Sequence, residues 1–179
     1  MELPFTVDAV SNICCKVVKN VLESSTKKQI KYSSTILKVP RISLRPEMGC
    51  FVQFTGDYNG LAVMNFSANA AMEIYRSYMV AMGIDEKELA KEYTSSEVPD
   101  SIGEIVNQIM GQLMRMVESK LDLRAFCGQP KALSLNNSII LTIDSEFNEE
   151  NRRLSFTISG HRFYVELAME SSTLIPMKQ

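Results

Sequence analysis

Histidine is nearly absent from the chain, which excludes several kinds of chemistry. The only histidine, His161, lies beside Gly160 in a segment typical of an exposed hairpin turn. Ser-His-Asp and Cys-His catalysis both need a base next to the nucleophile, so neither is expected. The four cysteines, at positions 14, 15, 50 and 127, lack the C-x-x-C spacing of tetrahedral zinc sites. We expect buried, reduced thiols and no metal bound by this chain.

An excess of positive charge and a long apolar run are also missing. Nineteen Lys and Arg residues nearly balance 21 Asp and Glu residues, for a net charge of -2. Nothing in this balance favours nucleic acid or an anionic membrane as a partner. No apolar stretch approaches bilayer length, and no basic segment followed by an apolar run opens the chain. We expect a soluble, cytoplasmic protein whose partner is a protein or a small molecule.

The chain has enough apolar residues for one sizeable core, and its pattern of elements repeats. With 45% hydrophobic residues in 179, we expect a single domain spanning residues 1–179. The first half is predicted to form one helix and three strands, at residues 6–24, 29–39, 49–55 and 60–66. The second half repeats this order, at residues 99–121, 132–143, 153–159 and 162–169.

This repetition predicts the architecture. The pseudo-repeats, about 6–66 and 99–170, are joined by residues 67–95, where we predict a helix at 67–82 capped by Ser67 and a short acidic helix at 85–93. Such a duplication favours an α+β fold in which two halves, related by a pseudo-twofold axis, share one mainly antiparallel sheet covered by the long helices.

The helix predicted at 99–121 carries the most information about function. Its core face is predicted to consist of Ile102, Ile105, Ile109, Leu113 and Met116. On the opposite side, a polar stripe consists of Asp100, Glu104, Asn107, Gly111, Arg115 and Glu118. Met110 and Met114 border this stripe. They could form an adaptable partner surface, although methionine at helical spacing is more often core, and we favour the core.

The polar stripe contains a motif with a known counterpart. CheC/CheX phosphatases carry aspartate or serine, three residues, glutamate, two residues, asparagine, twenty-two residues and proline, and the chain has Asp100, Glu104, Asn107 and Pro130 at those places. The chain therefore resembles the CheC/CheX family of bacterial chemotaxis phosphatases over essentially its whole length. Residues 103–105 and Gly111 also resemble the family's helix, and residues 49–52, 71–75 and 167–170 are similar to a CheX-related group of bacterial proteins.

The resemblance implies an enzyme, a partner and a site. It implies a protein phosphatase that hydrolyses the aspartyl phosphate of a phosphorylated CheY-type receiver domain, in chemotaxis or related two-component signalling. Asn107 would hold the attacking water and Glu104 would dock onto the receiver's lysine. The receiver brings its own Mg²⁺, so no cofactor bound by this chain is implied. Asp100 would serve as an interface or capping group and Pro130 as a structural residue, and a homodimer through edge strands is expected.

Two positions depart from the family pattern. Val106 stands where family members commonly have glycine, and its helical position predicts that it faces the core flank. In the first helix, Asp8, Asn12 and Cys15 have the spacing of the motif but lack both the glutamate and the water-holding amide at the corresponding places. We therefore expect one active site per chain, formed by Glu104 and Asn107.

Three alternatives remain open at this point. Ser101 to Glu104 also fits a capping box, in which Glu104 would fold back onto the first turn of its own helix, although capping explains neither Asn107 nor Pro130. The protein could instead be a non-catalytic module, since flagellar switch proteins use a related fold to bind phosphorylated receivers without hydrolysing them. A self-associating structural protein is the third alternative.

Overall fold

The computed structural model describes residues 6–142 and 149–171, which form three α-helices and ten strands. The helices are α1 (Thr6–Thr26), α2 (Ala68–Ala81) and α3 (Glu97–Leu121). The strands of the first half are β1 (Ile30–Tyr32), β2 (Leu37–Lys38), β3 (Ile42–Leu44), β4 (Met48–Gly56) and β5 (Gly60–Phe66). Those of the second half are β6 (Ala125–Cys127), β7 (Lys131–Ser134), β8 (Ile139–Leu141), β9 (Glu149–Ile158) and β10 (His161–Glu170).

Eight of these strands form one antiparallel sheet. Its order is β1-β9-β10-β5-β4-β6, with β2 also paired to β9 and β7 also paired to β4. The remaining strands, β3 and β8, pair with each other in a separate two-stranded ribbon. The hairpins β4–β5 and β9–β10 meet at the centre, where β5 pairs with β10. The predicted α+β fold with internal pseudo-symmetry is confirmed.

The pairing follows the duplication closely. In each half a long helix is followed by five described strands. Two short strands of each half pair with the hairpin of the other half: β1 and β2 pair with β9, and β6 and β7 pair with β4. The prediction of three strands per half was wrong in number. The single strands predicted at 29–39 and 132–143 are each two short strands, β3 and β6 were missed, and residue 143 lies outside the described part.

The bridge between the halves contains one helix and one short turn. Ser67 caps α2 by accepting a hydrogen bond from the Ala70 amide at 3.1 Å, as predicted, and Gly83 follows the helix with φ +91°. The acidic helix predicted at 85–93 was wrong, because only the 3₁₀ turn Glu86–Glu88 forms there. Residues 85–88 are all exposed and the buried Leu89 follows them, so the first turn of the predicted helix has no apolar contact with the core.

The main core lies between the helices and one face of the sheet. The predicted core face of α3 is buried, with Ile102, Ile105 and Ile109 each at most 2% exposed, but the prediction was wrong for Met116, which is only half-buried. Burying each such side chain contributes roughly 1.5–3 kcal/mol. Phe163 stacks between Phe66 and Phe156 across three central strands, at centroid distances of 5.4 and 5.1 Å. Burial of the isoleucines holds α3 on the sheet, while the phenylalanine stack joins the central strands to one another.

The ribbon β3–β8 covers the other face of the sheet. Ile42 and Leu44 of β3 form a second apolar cluster with Leu61 and Val63 of β5. The Asn65 amide holds β3 in place, since it donates to the Ser43 carbonyl at 2.8 Å and accepts from the backbone amide of Arg45 at 2.7 Å. Within the described ranges, no helix is long and apolar enough to cross a bilayer.

Candidate active site

The outer face of α3 carries the residues predicted to form the site. Glu104 and Asn107 are both exposed and lie one helical turn apart, with Asp100 exposed one turn before them and Gly111 one turn after. The predicted polar stripe is therefore present on one face of a helix whose other face is buried. Because α3 is packed along its length, this face is presented on a rigid element.

A tyrosine of α2 contacts the candidate carboxylate. The Tyr78 hydroxyl, on a side chain that is nearly buried, donates to Glu104 Oε2 at 3.5 Å. One turn earlier, the Tyr75 hydroxyl donates to Glu97 Oε2 at 2.8 Å. Sequence reasoning missed both contacts, since a buried tyrosine signals that its hydroxyl needs a partner but does not say which one. Helix α2 therefore restrains the carboxylates on the amino-terminal half of α3.

The capping-box interpretation of Glu104 was wrong. Helix α3 begins at Glu97 and its N-cap residue is Ser96, so Ser101 lies inside the helix. The Ser101 hydroxyl donates to the Glu97 carbonyl at 2.8 Å, which is an internal contact of the second turn. At the helix start, the Val98 amide donates to the Ser95 carbonyl and the Asp100 amide donates to the Ser96 carbonyl. Glu104 is consequently free of a role in starting its own helix.

Asn107 is presented without competition from neighbouring side chains. In the described part of the chain its amide group makes no hydrogen bond. Gly103 and Gly111 lie four residues before and after it, and a Cβ built on Gly103 would meet no atom within 4 Å. A Cβ on Gly111 would contact only the Arg115 guanidinium, at 3.6 Å. Packing within this chain therefore requires neither glycine, and both leave bare helix surface around an available amide.

Three apolar residues next to the motif belong to the core. Val106 is 1% exposed, as its helical position predicted, so it cannot stand between Asn107 and a partner. Met110 is fully buried and Met114 is 9% exposed, with its sulfur accepting a hydrogen bond from the Tyr58 hydroxyl at 3.4 Å. The favoured core interpretation of both methionines agrees with this burial. They provide no adaptable surface for a partner.

The outermost motif positions have different surroundings. Asp100 lies in the first turn of α3, where a negative charge interacts favourably with the helix dipole. Pro130 is buried immediately before β7, away from the exposed face of α3. The structure thus brings Asp100, Glu104, Asn107 and Gly111 onto one surface, whereas Pro130 belongs to the packing of a strand entry.

The corresponding positions of α1 are engaged in structural contacts. Asp8 accepts from the fully buried Arg152, with its Oδ1 2.7 Å from the guanidinium Nε, and Asn12 donates its amide to the Asp8 carbonyl at 3.0 Å. Cys15, at the place equivalent to Asn107, is 4% exposed, and burial raises its pKa to about 11. This face of α1 offers neither a free carboxylate nor an exposed amide at the water-holding position.

The fold and the exposed motif can be compared with known proteins. The family model described as "Protein of unknown function (DUF3334)" matches residues 3–179. The chain belongs to the DUF3334 family. No curated protein matches the sequence.

Several solved structures share this family member's fold. CheX from Desulfovibrio desulfuricans is 15% identical, with a TM-score of 0.75 over 90% of this chain and 99% of that one. The CheX–CheY–BeF₃–Mg²⁺ complex from Borrelia burgdorferi is similar at 13% identity, with a TM-score of 0.64 over 89% and 97% of the two chains. FliY from Thermotoga maritima is 18% identical, with a TM-score of 0.66 over 97% and 93%. The predicted likeness to CheX is confirmed at the level of the fold.

Proposed function

We propose that this DUF3334 protein is a CheX-like phosphatase for a CheY-type receiver domain, acting in chemotaxis or a related two-component pathway. The observation that carries the proposal is the exposed pair on α3, Glu104 and Asn107, one turn apart in a CheX-type fold. The bare helix surface at Gly103 and Gly111 supports it, since a partner can approach the backbone closely there.

The chemistry assigned to Asn107 is the positioning of a water molecule. An aspartyl phosphate is already activated and the receiver supplies its own Mg²⁺, so hydrolysis mainly needs a water in line with the breaking bond. The amide of Asn107 can accept from this water through its oxygen and donate through its nitrogen, and it carries no charge that repels phosphoryl oxygens. The water oxygen attacks phosphorus, the bond to the aspartyl oxygen breaks, and inorganic phosphate and the free carboxylate result.

Glu104 is assigned the role of docking carboxylate. One turn before Asn107, it can pair with the receiver's active-site lysine and fix the approach of the amide. An ion pair enclosed in an interface sets orientation more effectively than one in open water.

The partner assignment rests on the similar structures and on the receiver chemistry together. The Borrelia burgdorferi protein of this fold is seen with CheY, beryllofluoride and Mg²⁺. A CheY-like domain is therefore the proposed partner of this chain as well. Since Phe126 on β6, at one end of the main sheet, is 75% exposed, we also propose a homodimer through this edge of the sheet, which light scattering at low concentration would test.

The decisive experiment follows aspartyl-phosphate decay on a panel of the host's receiver domains. The wild-type protein should accelerate the decay of its cognate receiver, and Asn107→Ala should lower kcat by about 100-fold or more because the water is no longer held. Asn12→Ala is the matched control, since it removes an exposed asparagine side chain from the equivalent helix α1. An unchanged rate in Asn107→Ala, or an equal loss in Asn12→Ala, would refute the assignment.

The second candidate is a receiver-binding module without catalysis. The similarity to FliY is of the same order as that to CheX, so the fold alone does not favour an enzyme. A binding module should leave the lifetime of the phosphorylated receiver unchanged or extend it. A phosphatase should shorten that lifetime, and Asn107→Ala should retain binding while losing the acceleration.

A further inference from the structure

A groove lies between α1 and α3 on the helical side of the molecule. It is open to solvent and has a volume of about 540 Å³. Apolar side chains of both helices line it, including Val17 and Val21 from α1 and Met116 from α3. Amide and hydroxyl groups complete the lining, among them Gln108 and Gln112. The groove can therefore accept a ligand with one apolar side and one polar side.

The charged residues that line the groove are all cationic. Lys16 comes from α1, and Arg115 and Lys120 come from α3. No carboxylate is among the lining residues, although the whole protein has a net charge of -2. Within the described residues, neither lysine takes part in an ion pair, and Arg115 donates to the neutral Gln112 amide at 2.9 Å. The groove thus has a local charge opposite to that of the protein and complementary to an acidic ligand.

The groove borders the candidate active site. Gln108 and Gln112, which line it, directly follow Asn107 and Gly111 on α3. From Gln108 to Lys120 the helix rises roughly 18 Å, at about 1.5 Å per residue. A partner segment of about three helical turns could therefore lie along the groove while the rest of the partner covers Asn107.

We propose that this groove binds an acidic, amphipathic segment of the receiver domain whose aspartyl phosphate is presented to Asn107. The apolar side of the segment packs against Val21 and Met116, and its carboxylates pair with Lys16 and Lys120. The inference rests on the proposed function for the identity of the partner. It adds a selection rule, since receivers that carry an acidic face beside the phosphorylation site are preferred over those that do not.

The test compares charge variants at two salt concentrations. Lys16→Glu combined with Lys120→Glu reverses the charge at both positions, and the corresponding double arginine variant keeps the positive charge. Lys31→Glu, on strand β1 and outside the groove, is the matched control. Binding of each variant to receivers activated with beryllofluoride is measured together with KM and kcat on the phosphorylated forms. Thermal melting verifies that each variant is folded.

The double glutamate variant should raise both Kd and KM by about tenfold at low salt, with a smaller effect at high salt and little change in kcat. The arginine variant and Lys31→Glu should behave like the wild type. If the protein dephosphorylates a receiver but the double glutamate variant has an unchanged KM, the groove inference is refuted and the phosphatase proposal stands. If charge reversal alters only self-association, the groove binds a second copy of the chain, and the groove inference is again refuted. Binding that depends on the groove without turnover would refute the phosphatase alone, and a panel in which no receiver binds would refute both.

Discussion

Replacing Gly111 with alanine should make the protein more stable and less effective with its receiver. Glycine inside a helix is less stable than alanine by about 0.5–1 kcal/mol, because it loses more backbone freedom on folding. The new Cβ would meet only Arg115, at 3.6 Å from Nη1, which is ordinary contact with the end of a flexible side chain. The same holds for Gly103, where a Cβ meets nothing within 4 Å. Each substitution should therefore raise the free energy of unfolding.

The expected gain can be worked out for the pair. Gly103→Ala with Gly111→Ala should add about 1–2 kcal/mol to the free energy of unfolding if the two contributions are independent. A domain of this size should then melt roughly 2–8 °C higher. Urea unfolding followed by circular dichroism measures the stability directly, since the midpoint should rise without a change in slope.

The kinetic cost is expected because both methyl groups lie one turn from Asn107, on the surface that we propose contacts the receiver. Displacing the receiver by about 1 Å from the position that aligns the water can cost about 100-fold in rate, so we expect kcat/KM to fall by about tenfold or more for the double variant. The assay is aspartyl-phosphate decay with the cognate receiver, run on the same preparations as the unfolding curves.

Gly83→Ala provides the matched control. Its Cβ would also find open space, but the residue has φ +91°, so alanine there should lower the free energy of unfolding by about 1 kcal/mol and leave the kinetics unchanged. A double variant on α3 that is stabilised but kinetically normal would refute the idea that these glycines serve a partner. One that is destabilised would refute the packing argument itself.

Three other predictions concern the core and the thiols. Val106→Gly should lower the free energy of unfolding by about 2–4 kcal/mol, through a cavity and a helical glycine, without raising kcat; an increased kcat would mean that this buried valine limits the rate. Asp8→Asn should lower the free energy of unfolding by about 1–2 kcal/mol, measured in urea, because the buried Arg152 loses a charged partner. Phosphatase kinetics should stay unchanged, and a loss of activity would contradict the single-site proposal. At pH 8, maleimide followed by mass spectrometry should label the partly exposed Cys127 first, because the pKa of about 11 keeps Cys15 protonated; early labelling of Cys15 would contradict its burial.

The parts of the fold that the sequence predicted are those with long, regular patterns. Helix α3 has a polar stripe and an apolar face over 25 residues, and the two hairpins combine alternating strands with glycine-containing turns. The motif on α3 could be found because its positions are fixed by spacing along the chain, and a helix converts that spacing into a common face. Exposure of Glu104 and burial of Val106 followed from the same geometry.

The parts that escaped prediction depend on tertiary contacts. Strands β3 and β6 have only three residues each, too few to show alternation, and they exist because β8 and β4 offer them hydrogen-bonding partners. The contact of Tyr78 with Glu104 joins two helices that are distant in sequence. The groove between α1 and α3 likewise requires knowledge of how the two helices pack, which no local pattern contains.

The exchange of short strands between the halves has an evolutionary consequence. A half-length ancestor with one helix and five strands would have had a β5 edge without a pairing strand. Its β4–β5 hairpin would also have lacked the two short strands that pair with it in the present chain. Two identical copies could satisfy both needs at once, by pairing β5 with β5 and exchanging the short strands. Fusion of the two genes would then allow the two copies of the helix to differ. In the present chain the two copies do differ, since α1 has a buried cysteine and a structural ion pair where α3 has an exposed amide and an exposed acid.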